Sequence, residues 1–401
     1  MITGLYVKNF RSIRDASLDL GRFTVLNGEN NSGKSSVLYA LQVLKNIVTS
    51  PNRSMDDLLN LNFLNLGGIE EVMFNKKINL ELKIGVRSGN TEKPQDLLSY
   101  YYWTHTLLGD TLILKGRKPY NFDGNLHVSF PYTLNKGQKI EIGKSPNHTF
   151  FWNGVTADQF EGYNEQVDAL LLTAEIDQCA ANLSGLDVIP THRGFSRAAF
   201  NLIPLQYNIY TEDEVATLLA SDKVLLSQVS YYFKKITGKE FSVSLMQVPG
   251  LFFLQVKDPG ASTSIQLVNQ GMGINQIVFL LAKILYSKNR LICIDEPEIH
   301  LHPTLIEQFI RVLVEISKAE GKQFLFSTHS EHWIMSLLAE VCEGNLPASD
   351  LKVYYLRKQG LETLVEEQEV QENGQIAGGL KNFLESQMRL AQRFFPVEMP
   401  G

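Results

Sequence analysis

Residues 28–35 read Gly28-Glu29-Asn30-Asn31-Ser32-Gly33-Lys34-Ser35, followed by Ser36, and complete the pattern G-x-x-x-x-G-K-[ST]. A strand-like run, Phe23-Thr24-Val25-Leu26, leads into it, and a helical pattern from Ser36 to Leu41 leaves it. That context is what phosphate binding needs. Gly28 and Gly33 let the backbone fold around an anion, and the N–H groups at the helix start face it with fixed positive ends. Lys34 adds a full charge at the β/γ-phosphates, and the Ser35 hydroxyl suits Mg²⁺. The pattern alone arises by chance in about one or two chains per hundred of this length. Between a strand and a helix, chance is much rarer, so the sequence predicts a nucleotide-binding protein.

With 401 residues the chain can bury one large core or two lobes. Hydrophobic residues make up 44% and charged residues 20%, an ordinary composition for a chain folded in water. A net charge of −6 argues against coating nucleic acid by bulk attraction and leaves only a local basic groove for that purpose. Cys179, Cys293 and Cys342 are far apart and form no C-x-x-C pair, which speaks against a disulfide or metal framework and fits a reducing compartment. The start, Met1 to Lys8, has no basic stretch followed by an apolar one, so no signal peptide is expected. The longest apolar run, near Ile277 to Tyr286, contains Lys283 and is too short to span a bilayer. A cytoplasmic protein with no membrane association is expected.

Periodicity predicts β-like segments at Leu5–Val7, Ala16–Leu20 and Phe23–Leu26, then a helix to about Val48. Strand-like runs at Ile78–Leu82, Thr111–Leu114, Leu126–Phe130 and Ile140–Ile142, with a turn signal at Asp123-Gly124-Asn125, predict an antiparallel sheet. Helices are expected near Ala157–Asn182 and Glu212–Lys235, and strands at Phe241–Met246, Leu251–Val256 and Ser262–Val268. The last third alternates as an α/β core does: helix Ile274–Ser287, strand Leu291–Ile294, helix Leu305–Ala319, strand Gln323–Ser327, a helix after His329, and a hairpin Lys352–Glu369 turning at Gln359-Gly360. A final helix is expected around Leu380–Phe395. The expected division is 1–76, an N-terminal lobe with the phosphate loop; 77–240, a β-rich then helical insertion; and 241–401, a C-terminal lobe. The fold class is α/β: a mixed sheet flanked by helices, an added antiparallel sheet and no long coiled coil.

A second set of segments completes the site. Arg290-Leu291-Ile292-Cys293-Ile294-Asp295-Glu296 is an apolar strand ending in two carboxylates. Asp295 suits the shell of a bound Mg²⁺, and Glu296 suits activation of an attacking water; a solvated acidic turn is the plain alternative. Phe324 to Ser330 is a strand ending at His329, placed either to reach a γ-phosphate or to cap the next helix. Asn269-Gln270-Gly271-Met272-Gly273-Ile274-Asn275-Gln276 opens a helix and either presents N–H groups to an anion or forms a plain turn.

In this order the segments resemble the ABC-class ATPases of the SMC, RecF and OLD group. Val7 to Asp15, including Arg11, is similar to that group's start, Gly28–Ser36 to its Walker A, and Asn269–Gln276 to the place of its signature. Asp295 to Pro303 is similar to its Walker B and D-loop, and Ser327-Thr328-His329-Ser330 to its switch histidine. The resemblance implies ATP and Mg²⁺ as cofactors, Glu296, His329 and Lys34 as catalytic groups, and Ser35 with Asp295 at the metal. Gly28, Asn30, Asn31, Ser32, Gly33, Lys34, Ser35, Ser36 and Arg11 are the implied contacts to nucleotide in the same subunit, with Asn269, Gly271 and Gly273 facing the nucleotide of a second subunit in a head-to-tail homodimer or higher oligomer. The sequence departs from the group in two places: no serine leads the signature, so Asn269 or Asn275 stands there, and Leu64 to Glu71 offers carboxylates where a glutamine is usual.

Without heptads no SMC-type coiled coil is expected. About seventy residues follow His329 and hold no Asp-x-Asp, so no Toprim nuclease domain is expected. The chain then resembles the stand-alone ATPases of the antiphage systems Septu and PARIS, which implies a separate effector, a nuclease by analogy. The alternative function is a RecF-like repair ATPase that binds DNA directly. Four features keep two readings each. Asp187 to Arg197, with His192, Arg193 and Arg197, is a contact loop or a basic surface loop; Arg11 and Arg14 contact phosphate or line a polar hairpin face; His300-x-His302 has zinc-like spacing inside the D-loop-like motif; and the C-terminal helix packs in the core or meets a partner. Lys34→Ala should abolish ATP binding measured by fluorescent-analogue titration; unchanged affinity would contradict the site assignment.

Overall fold

The computed structural model describes every residue except 90–97, 118–121, 135–138, 146–147, 161–175, 207–208, 247–249, 287 and 378–401. Its centre is a six-stranded sheet in the order Leu186–Ile189, Leu291–Asp295, Gln323–Thr328, Phe23–Gly28, Leu351–Gln359 and Glu362–Gln368. The first five strands run parallel, and only the edge strand Glu362–Gln368 is antiparallel. Strands Phe23–Gly28, Leu291–Asp295 and Gln323–Thr328 are buried along their whole length, as parallel strands covered on both faces must be.

Alternation along those strands divides the interior into two hydrophobic clusters. Leu26, Leu291, Cys293, Leu325, Tyr354 and Leu356 face one side, toward the helix Lys34–Thr49. Phe23, Val25, Ile292, Ile294, Phe324 and Phe326 face the other, toward the helices Lys223–Thr237, Met272–Leu285, Pro303–Glu320 and Glu331–Cys342. There Phe23 stacks on Phe324 at 5.3 Å and Phe326 meets Trp333 edge-on at 5.0 Å. The longest helix among the described residues, Pro303–Glu320, has 18 residues. Among them no helix is long and apolar enough to cross a membrane.

A second six-stranded sheet is wholly antiparallel, in the order Ile13–Asp19, Ile2–Phe10, Leu82–Ser88, Leu98–Thr106, Gly109–Arg117 and Phe122–Val128. The three-stranded sheet of Ala157–Phe160, His148–Trp152 and Ile140–Ser145 lies beyond it. A small sheet of Ala199–Asn201, Leu251–Lys257, Glu240–Leu245 and Ile265–Gln266 completes the structure.

Several sequence expectations are corrected. Asp123-Gly124-Asn125 is not a turn but the middle of strand Phe122–Val128. A Cβ on Gly124 would lie 2.6 Å from Ile142 Cγ2, so the glycine permits close packing of one sheet on the other. The strand expected at Ile78–Leu82 begins at Leu82, because residues 78–80 form a turn in which Leu80 N donates to Lys77 O at 3.2 Å. Ala157, expected in a helix, begins a strand paired with Trp152; among the described residues of that stretch helix is seen at Gln178–Ser184, and residues 161–175 lie outside those described. Glu212–Lys235 is two helices, Glu212–Ser221 and Lys223–Thr237, divided at Asp222, whose side chain caps the second. Ser262–Val268 yields only the two-residue strand Ile265–Gln266 before a 3₁₀ turn. The C-terminal helix expectation falls outside the described residues.

One buried ionic cluster ties the phosphate-loop helix to the sheet edge. Asp187 accepts from Lys283 Nζ at 2.9 Å and Asn289 Nδ2 at 3.0 Å, and Lys45 Nζ donates to Leu186 O at 2.6 Å. Asp187 and Lys283 are only 6% and 5% exposed, so removing one charge strands the other. Asp187→Ala should therefore cost about 3–5 kcal/mol in urea unfolding; a loss below about 1 kcal/mol would contradict this account.

Candidate nucleotide site

The parallel register places three strand ends at one level. Thr328 pairs with Asn27, and Asp295 with Ser327, so the phosphate loop, the carboxylate pair and His329 emerge side by side. Gly28 and Gly33 have φ of 149° and 101°, a region that suits glycine. A Cβ on Gly28 would stand 2.0 Å from Leu356 O, and one on Gly33 would stand 2.4 Å from Thr363 Oγ1. The hairpin Leu351–Gln368 thus shapes the loop from behind, and Thr363 also donates from N to Ser12 O at 2.8 Å. Within the loop Asn31 is left-handed at φ 63°, Asn30 and Asn31 are exposed, and Ser32 and Ser36 are buried.

Lys34 Nζ donates to the carbonyls of Gly28 and Glu29 at 2.9 and 2.8 Å and lies 3.5 Å from His329 Nδ1. Burial pulls its pKa down to about 8, against the opposing pull of Glu296, Asp295 and Glu298. The Ser35 hydroxyl donates to both Asp295 oxygens, at 3.2 and 3.1 Å. A hydroxyl and a carboxylate facing each other at that range are the hard oxygen donors that Mg²⁺ takes beside a phosphate, so the donor set fits that ion.

Glu296 adopts φ 48° while its N–H donates to Ser327 O at 2.7 Å. Its carboxylate lies 3.4 Å from His329 Nε2. Burial raises its pKa, and His329 opposes the shift. Glu298 holds the histidine from behind: one oxygen accepts from Thr328 Oγ1 at 2.7 Å and from His329 N at 3.1 Å. Neither Glu298 nor the backbone clamp made by Arg193 was singled out from sequence as part of the site. Arg193 stood in a quoted segment, but nothing in the pattern of charges told a buried arginine from an exposed one.

The remaining candidates sit in different surroundings. Arg193 is buried and not a surface residue; its guanidinium donates to Asp295 O and Glu296 O at 2.7 Å each and to Pro190 O at 2.9 Å. Arg197 pairs with Asp213 and Glu212, at the head of a helix. Arg11 lies over the Tyr39 ring at 5.4 Å, on the helix that follows the loop, and Arg14 pairs with Glu362. Asn269 and Gly271 are exposed at the start of helix Met272–Leu285, and Gly273 packs on His300, whose carbonyl would lie 2.4 Å from a Cβ there. Asn275, weighed for the signature position, is taken up by Phe195, bonding its N–H and its carbonyl at 2.8 Å each. His302 caps helix Pro303–Glu320. Glu71, in the stretch that replaces the usual glutamine, pairs with Lys76.

Strand ends that bring a phosphate loop, a hydroxyl–carboxylate pair and a Glu–His pair together are the arrangement of a P-loop ATPase. A family model described as AAA ATPase domain matches residues 1–146 and 205–334, and the chain belongs to that family. It is 24% identical over 360 residues to the Old nuclease of Escherichia phage P2, covering 82% of this chain and 56% of that protein. It is 22% identical over 352 residues to the OLD nuclease of Thermus scotoductus, covering 82% and 59%. The chain therefore spans little more than half the length of these relatives. A solved SMC head bound to the C-winged helix domain of ScpA matches with a TM-score of 0.51 at 13% identity, covering 92% of this chain and 98% of that one, a likeness of fold. The family makes this chain a P-loop ATPase, similar in sequence to OLD nucleases and in fold to an SMC head.

The lowered Lys34 pKa has a readable consequence. Phosphate favours the charged lysine, so above about pH 8 nucleotide binding must take up a proton, and affinity must fall as pH rises. Calorimetry at about pH 8.5 in two buffers of different ionisation heat should show that uptake, and Lys34→Arg should remove it; equal heats for the native protein would contradict it.

Proposed function

We propose that the chain is a Mg²⁺-dependent ATP-hydrolysing switch. The observation that carries this reading is the contact chain at the strand ends: Lys34 to His329 at 3.5 Å, His329 to Glu296 at 3.4 Å, and Ser35 to Asp295 at 3.1 Å. In this reading Lys34 and the N–H groups from Asn30 to Ser36 hold the β- and γ-phosphates, with Gly28 and Gly33 giving the loop its shape. Ser35 and Asp295 hold the Mg²⁺, which when bound neutralises charge on the β- and γ-phosphate oxygens. Glu296 orients a water and takes its proton, and its raised pKa brings it nearer the working pH of a base. His329, 3.4 Å from that carboxylate, would steady it beside the γ-phosphate. Arg11, on the Tyr39 face of the loop helix, meets the nucleotide's outer side.

The dimer extends the same reading. The N-terminus of helix Met272–Leu285, exposed at Asn269 and Gly271 with Gly273 buried behind them, supplies the second half of a shared site in a head-to-tail homodimer or higher assembly. ATP closes the pair, and hydrolysis reopens it. A separate effector reads the state; it is assigned nuclease chemistry because the curated relatives are named nucleases, and antiphage defence follows from the resemblance to Septu and PARIS. The three-part division at 76 and 240 and a cytoplasmic location belong to the same proposal.

Glu296→Gln should retain ATP binding, lower turnover about 100- to 10,000-fold, and shift light-scattering mass to the dimer when ATP is added. If the variant hydrolyses as fast as wild type and stays monomeric with ATP, the proposal fails.

A further inference from the structure

Glu296, at φ 48°, occupies a backbone conformation that non-glycine residues rarely adopt. Something must hold it there. On one side its N–H is bonded to Ser327 O. On the other its carbonyl accepts from Arg193 Nη2 at 2.7 Å, while Nη1 of the same guanidinium holds the carbonyls of Asp295 at 2.7 Å and Pro190 at 2.9 Å. Buried arginines ordinarily meet carboxylates in a two-pronged pair. Here the charge is buried, 8% exposed, yet its terminal nitrogens go to three backbone carbonyls. The side-chain carboxylates of Asp295 and Glu296 are left turned toward Ser35 and His329.

Arg193 is itself held with unusual care. Gly194 has φ 118°, and a Cβ there would stand 2.9 Å from Asn275 Oδ1. Asn275 bonds both backbone groups of Phe195, the next residue. The arginine is thus anchored through two residues to the first turn of the helix that opens at Gly271.

We infer that Arg193 is a positioning residue for hydrolysis, fixing the backbone of Asp295 and Glu296 so that the Glu296 carboxylate stays on His329. The inference rests on the ATPase reading and adds a residue to it. The Arg193 guanidinium bonds backbone carbonyls of this chain. Its loss lets Glu296 relax toward an ordinary conformation and swing its carboxylate from the reacting water, while Lys34 and the phosphate loop are untouched. The expected signature is a fall in kcat with little change in the affinity for ATP.

The test compares wild type, Arg193→Lys and Arg193→Gln for ATP affinity, steady-state turnover and melting temperature, with Glu296→Gln as the reference. Both Arg193 variants should bind ATP within about twofold of wild type, and the glutamine variant should lose about 100-fold in kcat. Lysine keeps the charge and one carbonyl bond, so it should recover about tenfold of that loss. If Arg193→Gln does not fold, the lysine variant decides alone: a lower kcat at unchanged KM and melting temperature supports the inference. Wild-type kcat in a folded variant, or a loss that resides in KM, overturns it. Wild-type turnover in Glu296→Gln instead overturns the ATPase reading itself, which separates the two failures.

Discussion

Everything at the site depends on one register. In the central sheet, parallel pairing sets Asn27 beside Thr328 and Ser327 beside Asp295, so three strand ends, the first more than two hundred residues ahead of the other two, lie on one line. A strand slipped by one residue would exchange its buried faces and turn its last side chain away from the site. The alternation of Val25 and Leu26, or of Cys293 and Ile294, between the two hydrophobic clusters is what forbids that slip. The packing of the core and the geometry of the site are therefore one constraint.

The sequence made the strand ends legible because each carries both a pattern and a breaker. The phosphate loop has its glycines, the carboxylate pair ends a run of five buried residues, and His329 ends another. The hairpin Leu351–Gln368 was legible from its turn residues. The antiparallel sheets were harder. Gly124 reads as a turn signal, yet it serves sheet-to-sheet contact, and no local pattern distinguishes the two uses. Strand Leu98–Thr106 shows no clean alternation in its sequence because tyrosines stand on both faces, Tyr101 buried on one and Tyr100 and Tyr102 half-buried on the other.

The role of Arg193 was illegible for a different reason. Its partners are backbone carbonyls, two of them on residues about a hundred positions away, and carbonyls leave no trace in a sequence. Glu298 is similar: its place in the Asp295–Pro303 segment could be read, but its bonds to Thr328 and to His329 N could not. Side chains that speak to ligands announce themselves by type and spacing. Those that hold other side chains in place do so through the backbone, and only the fold reveals them. In the proposed cycle these holders matter as much as the reacting groups, since Glu296 and His329 act only while they remain in register.

In the proposed cycle the phosphate loop and the carboxylate strand form one Mg²⁺-nucleotide site through Ser35 and Asp295. A double-mutant cycle on Mg²⁺-ATP affinity, with Ser35→Ala, Asp295→Asn and both together, measures that union directly. The account predicts strong non-additivity, a coupling of about 1 kcal/mol or more that disappears when Mg²⁺ is chelated. Additive losses, or a coupling that persists without Mg²⁺, would contradict it.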